Sequence, residues 1–302
     1  MAGDPTPSRR RRKLRLRATR PWLLLAPALL LWPLVRVFLF SLQEYGLRQI
    51  VSGESNYIGF DNYAEIFSEP MLWQIVLPNT IGFAIVAVGG TVVFGTLVAL
   101  LLASLNRMWR AIVSSCIMVA WAMPAVTGTY VWIWLFDANT GLVNTLLLGA
   151  GILDEPHNWF TDRWSFYAIV VLNIIHHGFP FVAVTVLAGL LGVSKEMIEA
   201  ATVDGAGAIR RFFQIIFPTL KPVFAVVVIL STIWDFKVFA QIYLMPGGSG
   251  SNRSVLNLGV WSYVESFAQN RYGFGSAIAV LLTVMLLVVS VVYVRTLFKE
   301  EK

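Results

Sequence analysis

Polar and apolar positions alternate along this chain in long blocks, and the apolar blocks are of membrane size. They run near 21–42, 77–104, 111–136, 165–193, 222–245 and 274–297. Each reaches the roughly 20 residues that a helix needs to cross about 30 Å of hydrocarbon. A backbone in lipid must satisfy its own hydrogen bonds, so the pattern predicts an all-α polytopic membrane protein with six transmembrane helices. They form one domain over 21–298, between an N-terminal arm at 1–20 and a short tail at 299–302.

Local signals add detail to each block. The first contains Pro27 and Pro33 and then Arg36, about 24 Å along the helix axis, where its side chain is expected to snorkel to the outer surface. After it, Asp61–Phe67 reads as an interfacial helix. Gly82, Gly89, Gly90 and Gly95 in the second block allow a neighbouring helix to approach closely. Pro124 in the third is expected to free the carbonyl of Ala120, and Tyr130, Trp132 and Trp134 form an outer aromatic belt. The segment from Asp137 to Arg163 is a long outer loop, and Pro246–Asn252 is flexible by composition.

Composition agrees with the pattern: 57% of the 302 residues are hydrophobic and only 13% are charged. Charge then sets the orientation. Seventeen of the 23 basic residues fall in the 1–20 arm, at Arg107 and Arg110, in the 194–221 loop, and at the C-terminus. The alternate segments hold only Arg48, Arg163, Arg253 and Arg271, and carry acids such as Glu44, Glu65, Asp137, Asp154 and Glu265. By the positive-inside rule both termini and the 194–221 loop are cytoplasmic. The net charge of +6 is therefore a topology signal that calls for no nucleic acid, and the arm Arg9–Arg17 suits anionic membrane lipid. Ser8-Arg9-Arg10 also fits the start of a twin-arginine signal, but the apolar run after it is of full spanning length and ends in no small-x-small site. One cysteine, Cys116, excludes an intrachain disulfide and any cysteine cluster for metal.

Two regions carry candidate chemistry. The 194–221 loop opens with Ser194 as N-cap and Glu196 and Glu199 in the first turns, leaves a nearly bare face at Ala200 and Ala201, and turns at Asp204-Gly205-Ala206-Gly207. A second short helix follows, stopped by Pro218, so the loop is a compact helix-turn-helix across the membrane surface. Inside the membrane, Asn173, His176, His177 and Pro180 fall about 12–22 Å from an outer start at Ser165. They read either as the wall of a translocation cavity or as structural interhelix hydrogen bonds. Neighbouring histidines diverge by about 100° on a helix and no third ligand is evident, so a metal site is not expected. The fifth block holds Trp234, Asp235, Lys237, Phe239, Gln241 and Tyr243, and Asp235 is the only acid deep in any block. Aromatic faces with a carboxylate suit a sugar; the alternative is packing, with Asp235 paired to a base on another chain. Gly-Lys never occurs, so no phosphate-cradling loop of the GxxxxGK[ST] type exists, and no ATP or other cofactor is expected on this chain. A self-powered carrier or an intramembrane enzyme would need an ion-coupling site or a poised nucleophile, and neither is recognisable.

Glu199-Ala200-Ala201, then three residues, Gly205, nine residues, Ile215, one residue, and Phe217-Pro218 resemble the cytoplasmic coupling loop of permease subunits in ATP-binding-cassette importers. The one departure is Phe217, where leucine is usual. Leu25-Ala-Pro-Ala-Leu29, Ile58-Gly-Phe-Asp-Asn-Tyr63, Trp234-Asp-Phe-Lys-Val-Phe239 and Ile242-Tyr-Leu-Met-Pro-Gly-Gly248 extend the resemblance to the carbohydrate branch, of the maltose, lactose and glycerol-phosphate type. It implies a type I importer permease in a bacterial or archaeal cytoplasmic membrane. The implied partners are a second homologous permease, an ATPase dimer that binds ATP and magnesium, and an extracytoplasmic sugar-binding lipoprotein. The cargo is a di- or oligosaccharide and the chain itself breaks no bond. Glu199, Ala200, Ala201, Asp204, Gly205, Ile215 and Pro218 are then the ATPase-coupling residues, with Asn173, His176, His177, Trp234, Asp235 and Phe239 on the substrate pathway.

Overall fold

The computed structural model describes residue 29, residues 31–54 and residues 56–300. The arm at 1–20, Pro27, the start of the first apolar block and the last two residues lie outside the described residues. In chain order come α1 (Leu31–Ser41), β1 (Gln43–Glu44), α2 (Leu47–Ser52), β2 (Asn56–Tyr57) and α3 (Asp61–Ser68). The long helix α4 (Leu72–Ser104) follows, then α5 (Arg107–Trp121), α6 (Ala125–Leu135), α7 (Leu142–Gly149), α8 (Arg163–Leu190) and α9 (Lys195–Val203). The remainder is α10 (Ala208–Thr219), α11 (Lys221–Phe236), α12 (Ala240–Leu244), α13 (Leu258–Tyr263) and α14 (Tyr272–Glu300).

The chain is all-α apart from a two-residue antiparallel pairing of β1 with β2, Gln43 opposite Tyr57. Among the described residues three helices, in α4, α8 and α14, are each long and apolar enough to cross a membrane, and two bent pairs reach that length together. Arg36 lies over the rings of Trp32 and Phe40, 5.9 and 4.6 Å from their centroids.

Packing centres on α4 against α8, where small residues let two backbones meet. A Cβ added at Gly95 would lie 2.6 Å from Val182 Cβ, and one at Gly178 would lie 3.0 Å from Thr91 Cγ2. Lipid tails provide no hydrophobic drive to associate, so this close van der Waals approach is what holds the helices together. Two apolar cores result. One gathers Ile66, Val76, Phe166, Trp261 and Ile278, and the other Leu102, Val186, Leu187, Leu220 and Phe224.

Asn79 ties α4 to the start of α8 and to the segment before α13. Its amide donates to the carbonyls of Ser254 (2.9 Å) and Leu256 (2.8 Å), while its Oδ1 accepts from Arg163 Nε at 2.7 Å. The glycine-rich loop is pinned rather than loose. Asn252 Nδ2 donates to the Thr161 carbonyl at 3.0 Å, and a side chain at Gly248 would overlap the Ile242 carbonyl.

Two apolar blocks are broken where a continuous helix was expected. The 111–136 block bends by 90° between α5 and α6. Proline disfavours helical geometry in the residue before it; here Met123 closes α5 instead, and its N–H donates to the Ala120 carbonyl at 3.2 Å. That carbonyl is thus satisfied, not free. The 222–245 block ends at Phe236 and resumes at Ala240, although no proline or glycine lies between. The buried Val238 carbonyl, left between the two helices, accepts from Asn257 Nδ2 (3.3 Å), a side chain that also caps α13 through the Val260 N–H at 2.8 Å.

Candidate functional site: the coupling loop and the intramembrane cavity

The loop between α8 and α11 is built as two short helices around one glycine. Ser194 Oγ accepts the Met197 N–H at 3.3 Å and donates to the Glu196 carboxylate at 2.5 Å. That hydrogen bond holds the Glu196 carboxyl below the usual carboxylate range. At the far end of α9 the carbonyls of Ala200, Ala201 and Thr202 accept from Asp204, Ala206 and Gly205, at 3.0, 2.9 and 3.0 Å. This closure requires Gly205 at φ +77°, in the left-handed region where a Cβ is disfavoured.

Gly207 is not left-handed: at φ −64° it is extended and caps α10. Pro218 does not stop the second helix either. A π turn over Phe212–Ile216 precedes it, the helix runs on to Thr219, and the chain then bends by 78° into α11. Arg211 Nη1 donates to Thr202 Oγ1 at 2.7 Å and joins α10 to α9. Glu199, Ala200, Asp204 and Gly205 are exposed, Ala201 and Ile215 are half-buried, and the Glu199 carboxylate has no bonding partner among the described residues. The loop therefore offers a charge beside two methyl-sized side chains, a surface on which another protein can seat closely.

The intramembrane residues fall in four places. Asn173, His176 and His177 line one cavity of about 80 Å³ with Pro180, and the break at Met123-Pro124 forms its opposite wall. Because that wall wraps around α8, two adjacent histidines reach the same space; His176 also lies 5.9 Å from the Trp132 ring. Trp234 packs on Phe181 (4.9 Å) and Trp121 (6.4 Å), which are 6.0 Å from each other. Phe181 and Trp121 directly follow Pro180 and Ala120 of the cavity wall, so this triad adjoins it. Asp235 does not line that cavity. It is buried, and its Oδ2 has no hydrogen-bond partner among the described residues. Phe239 lies elsewhere, in a separate cluster with Tyr243 (5.0 Å) and Tyr263 (5.1 Å). Sequence reasoning missed Trp121, Phe181 and Trp132. Each is an aromatic in a spanning block, and the packing of α5 and α11 on α8 brings the first two onto Trp234.

Residues 91–300 match the family model described as the binding-protein-dependent transport system inner membrane component. The chain belongs to this family. It is an ATP-binding-cassette importer permease. The permease is 37% identical over 303 residues to the diacetylchitobiose uptake system permease protein DasB of Streptomyces coelicolor, covering 98% of this chain and 92% of the relative. To the trehalose/maltose transport system permease protein MalF of Thermococcus litoralis it is 32% identical over 244 residues, 80% of each chain. Its fold matches a chain of a bacterial alginate ABC transporter solved with an alginate pentasaccharide-bound periplasmic protein. The TM-score is 0.75 at 20% identity, covering 94% of the permease and 93% of that chain. The permease thus has the type I importer fold, and as an inner membrane component it is a membrane protein.

Proposed function

We propose that this permease forms one half of the translocation pathway of an ATP-driven, binding-protein-dependent sugar importer, with a second homologous permease as the other half. Both termini and the 194–221 loop face the cytoplasm of a bacterial or archaeal cell. There Glu199 and the flat Ala200-Ala201 face seat in an ATPase subunit, which alone binds ATP and magnesium. ATP closes the ATPase dimer, draws the coupling helices together and shifts the pathway from inward to outward facing, while a sugar-binding protein delivers a di- or oligosaccharide. No covalent step falls to this chain.

The observation that carries the sugar reading is the Trp121–Phe181–Trp234 triad beside a polar cavity. Ring faces stack on sugar C–H surfaces, and Asn173 and the histidines supply donors and acceptors for hydroxyls. The named substrates of the relatives, diacetylchitobiose and trehalose or maltose, support the same class. Asp235 is buried within this chain and its Oδ2 has no partner among the described residues, so it serves as an interior polar group rather than a surface contact.

Uptake by the complete transporter in proteoliposomes tests this reading. Transport of a labelled disaccharide should be competed by related sugars and stop without the ATPase. Glu199→Lys should leave the complex assembled while uptake is lost. Transport driven by an ion gradient alone, or full uptake by Glu199→Lys, would overturn it.

A further inference from the structure

A groove of about 490 Å³ runs between α4 and α10, lined almost wholly by apolar side chains, among them Val93, Leu97, Ala208, Phe212, Phe213 and Phe224. Val93, Leu97, Ile209 and Phe213 are exposed, so no described segment of the chain covers it. Ala208, Ile209 and Phe213 also line an adjoining depression that carries Arg210 and Gln214, so the apolar trough opens onto a cationic mouth. Arg210 spends only its Nε on Gln214, at 2.9 Å, and its two terminal nitrogens have no partner among the described residues.

Depth and direction are fixed by the helices. Val93 and Leu97 lie roughly 10–17 Å from the Ser104 end of α4, within the hydrocarbon zone. α10 departs from α11 by 78° and so lies near the membrane plane, with Arg210 and Arg211 in its first turns and phenylalanines along its apolar side. This is the arrangement of an interfacial amphipathic helix, whose basic face sits at headgroup level.

We propose that this groove is a binding site for an anionic glycerophospholipid of the membrane leaflet that holds the coupling loop. One acyl chain fills the trough between α4 and α10, and the phosphate headgroup meets the free guanidinium nitrogens of Arg210. An open apolar trough at this depth excludes water, and a basic group near an anionic surface adds roughly 1 kcal/mol. The leaflet is cytoplasmic if the proposed orientation holds; the site itself rests on neither that orientation nor the sugar reading. Because α10 is the second half of the coupling loop, the bound lipid ties the position of that loop to the membrane.

The test uses the assembled transporter in nanodiscs of phosphatidylcholine, with and without phosphatidylglycerol, and a photoactivatable phosphatidylglycerol as probe. Labelling is expected on peptides containing 93–97 and 208–213, competed by phosphatidylglycerol and not by phosphatidylcholine. Arg210→Gln should lower that labelling about fivefold, the equivalent of 1 kcal/mol, with complex recovery unchanged. Val93→Trp, which fills the trough from a different helix, should abolish it. Equal labelling by a phosphatidylcholine probe, or labelling no denser than on the rest of the lipid-facing surface, would overturn the proposal. So would a disulfide joining Leu97→Cys to a cysteine in the second permease or in residues 1–28, since a protein segment would then occupy the groove.

Discussion

Gly205 allows backbone conformation to be separated from side-chain size. It stands at φ +77°, and a Cβ built on it would meet nothing within 4 Å in this chain. A substitution there therefore costs only what the left-handed conformation costs an L-residue, about 1–2 kcal/mol. That is a factor of roughly 5–30 in the population of the closed turn. Asparagine tolerates this region better than alanine, and a β-branched valine worse. The expected order of binding-protein-stimulated ATPase activity and uptake is thus Gly205, Gly205→Asn, Gly205→Ala, Gly205→Val, with the ATPase subunit still co-purifying with the first two. Side-chain volume gives a different order, because asparagine is much larger than alanine. Activity with Gly205→Ala near that of the parent and Gly205→Asn inactive would refute the reasoning, and would show that a close contact with the ATPase, not φ, decides this position.

Further outcomes follow from other contacts. Asn79→Ala strands the buried carbonyl of Leu256 and the half-buried one of Ser254 and should cost about 2–4 kcal/mol; an unchanged Tm of the purified protein would show that these elements are pinned elsewhere. Trp234→Ala opens the Trp121–Phe181 stack and should raise the KM for sugar at least severalfold with assembly intact, while Trp234→Phe retains most of the affinity; equal KM values for all three would place the sugar away from this triad. Hydrogen bonds from Thr140 and Asn139 hold the Asp137 carboxyl below its usual range. A depressed folded-state pKa means that this turn's added stability is complete above the ordinary carboxylate range and is lost as pH falls through the lowered value. Hydrogen exchange at the Asn139 and Thr140 amides should accelerate with that titration, whereas Asp137→Asn should show no such step.

Much of the coupling loop was legible from sequence because its determinants are local. Ser194 caps, Gly205 turns and Glu199 remains exposed within a single stretch of 12 residues. Two local inferences were still redirected. Gly207 serves as an extended cap and Pro218 is carried through after the π turn, since a widened turn leaves proline's missing N–H unused and gives its ring room beside the preceding carbonyls. The grouping of the pathway residues was not legible. Asn173, His176, His177, Trp234, Asp235 and Phe239 look like one constellation in two spans, and they occupy four separate places.

By itself the sequence determined what depends on the solvent and on neighbours within a few residues: helical blocks of membrane length and a loop with its own caps and turn. Lipid leaves an apolar backbone little choice but helix, so those features needed no knowledge of the fold. The tertiary structure alone decided where the third and fifth blocks break and which aromatics meet. Asn257 supplies an acceptor-satisfying amide to Val238 from 19 residues away, and Trp121 of α5 meets Trp234 of α11 against Phe181 of α8. Contacts of that kind join positions far apart in sequence, and no local pattern encodes them.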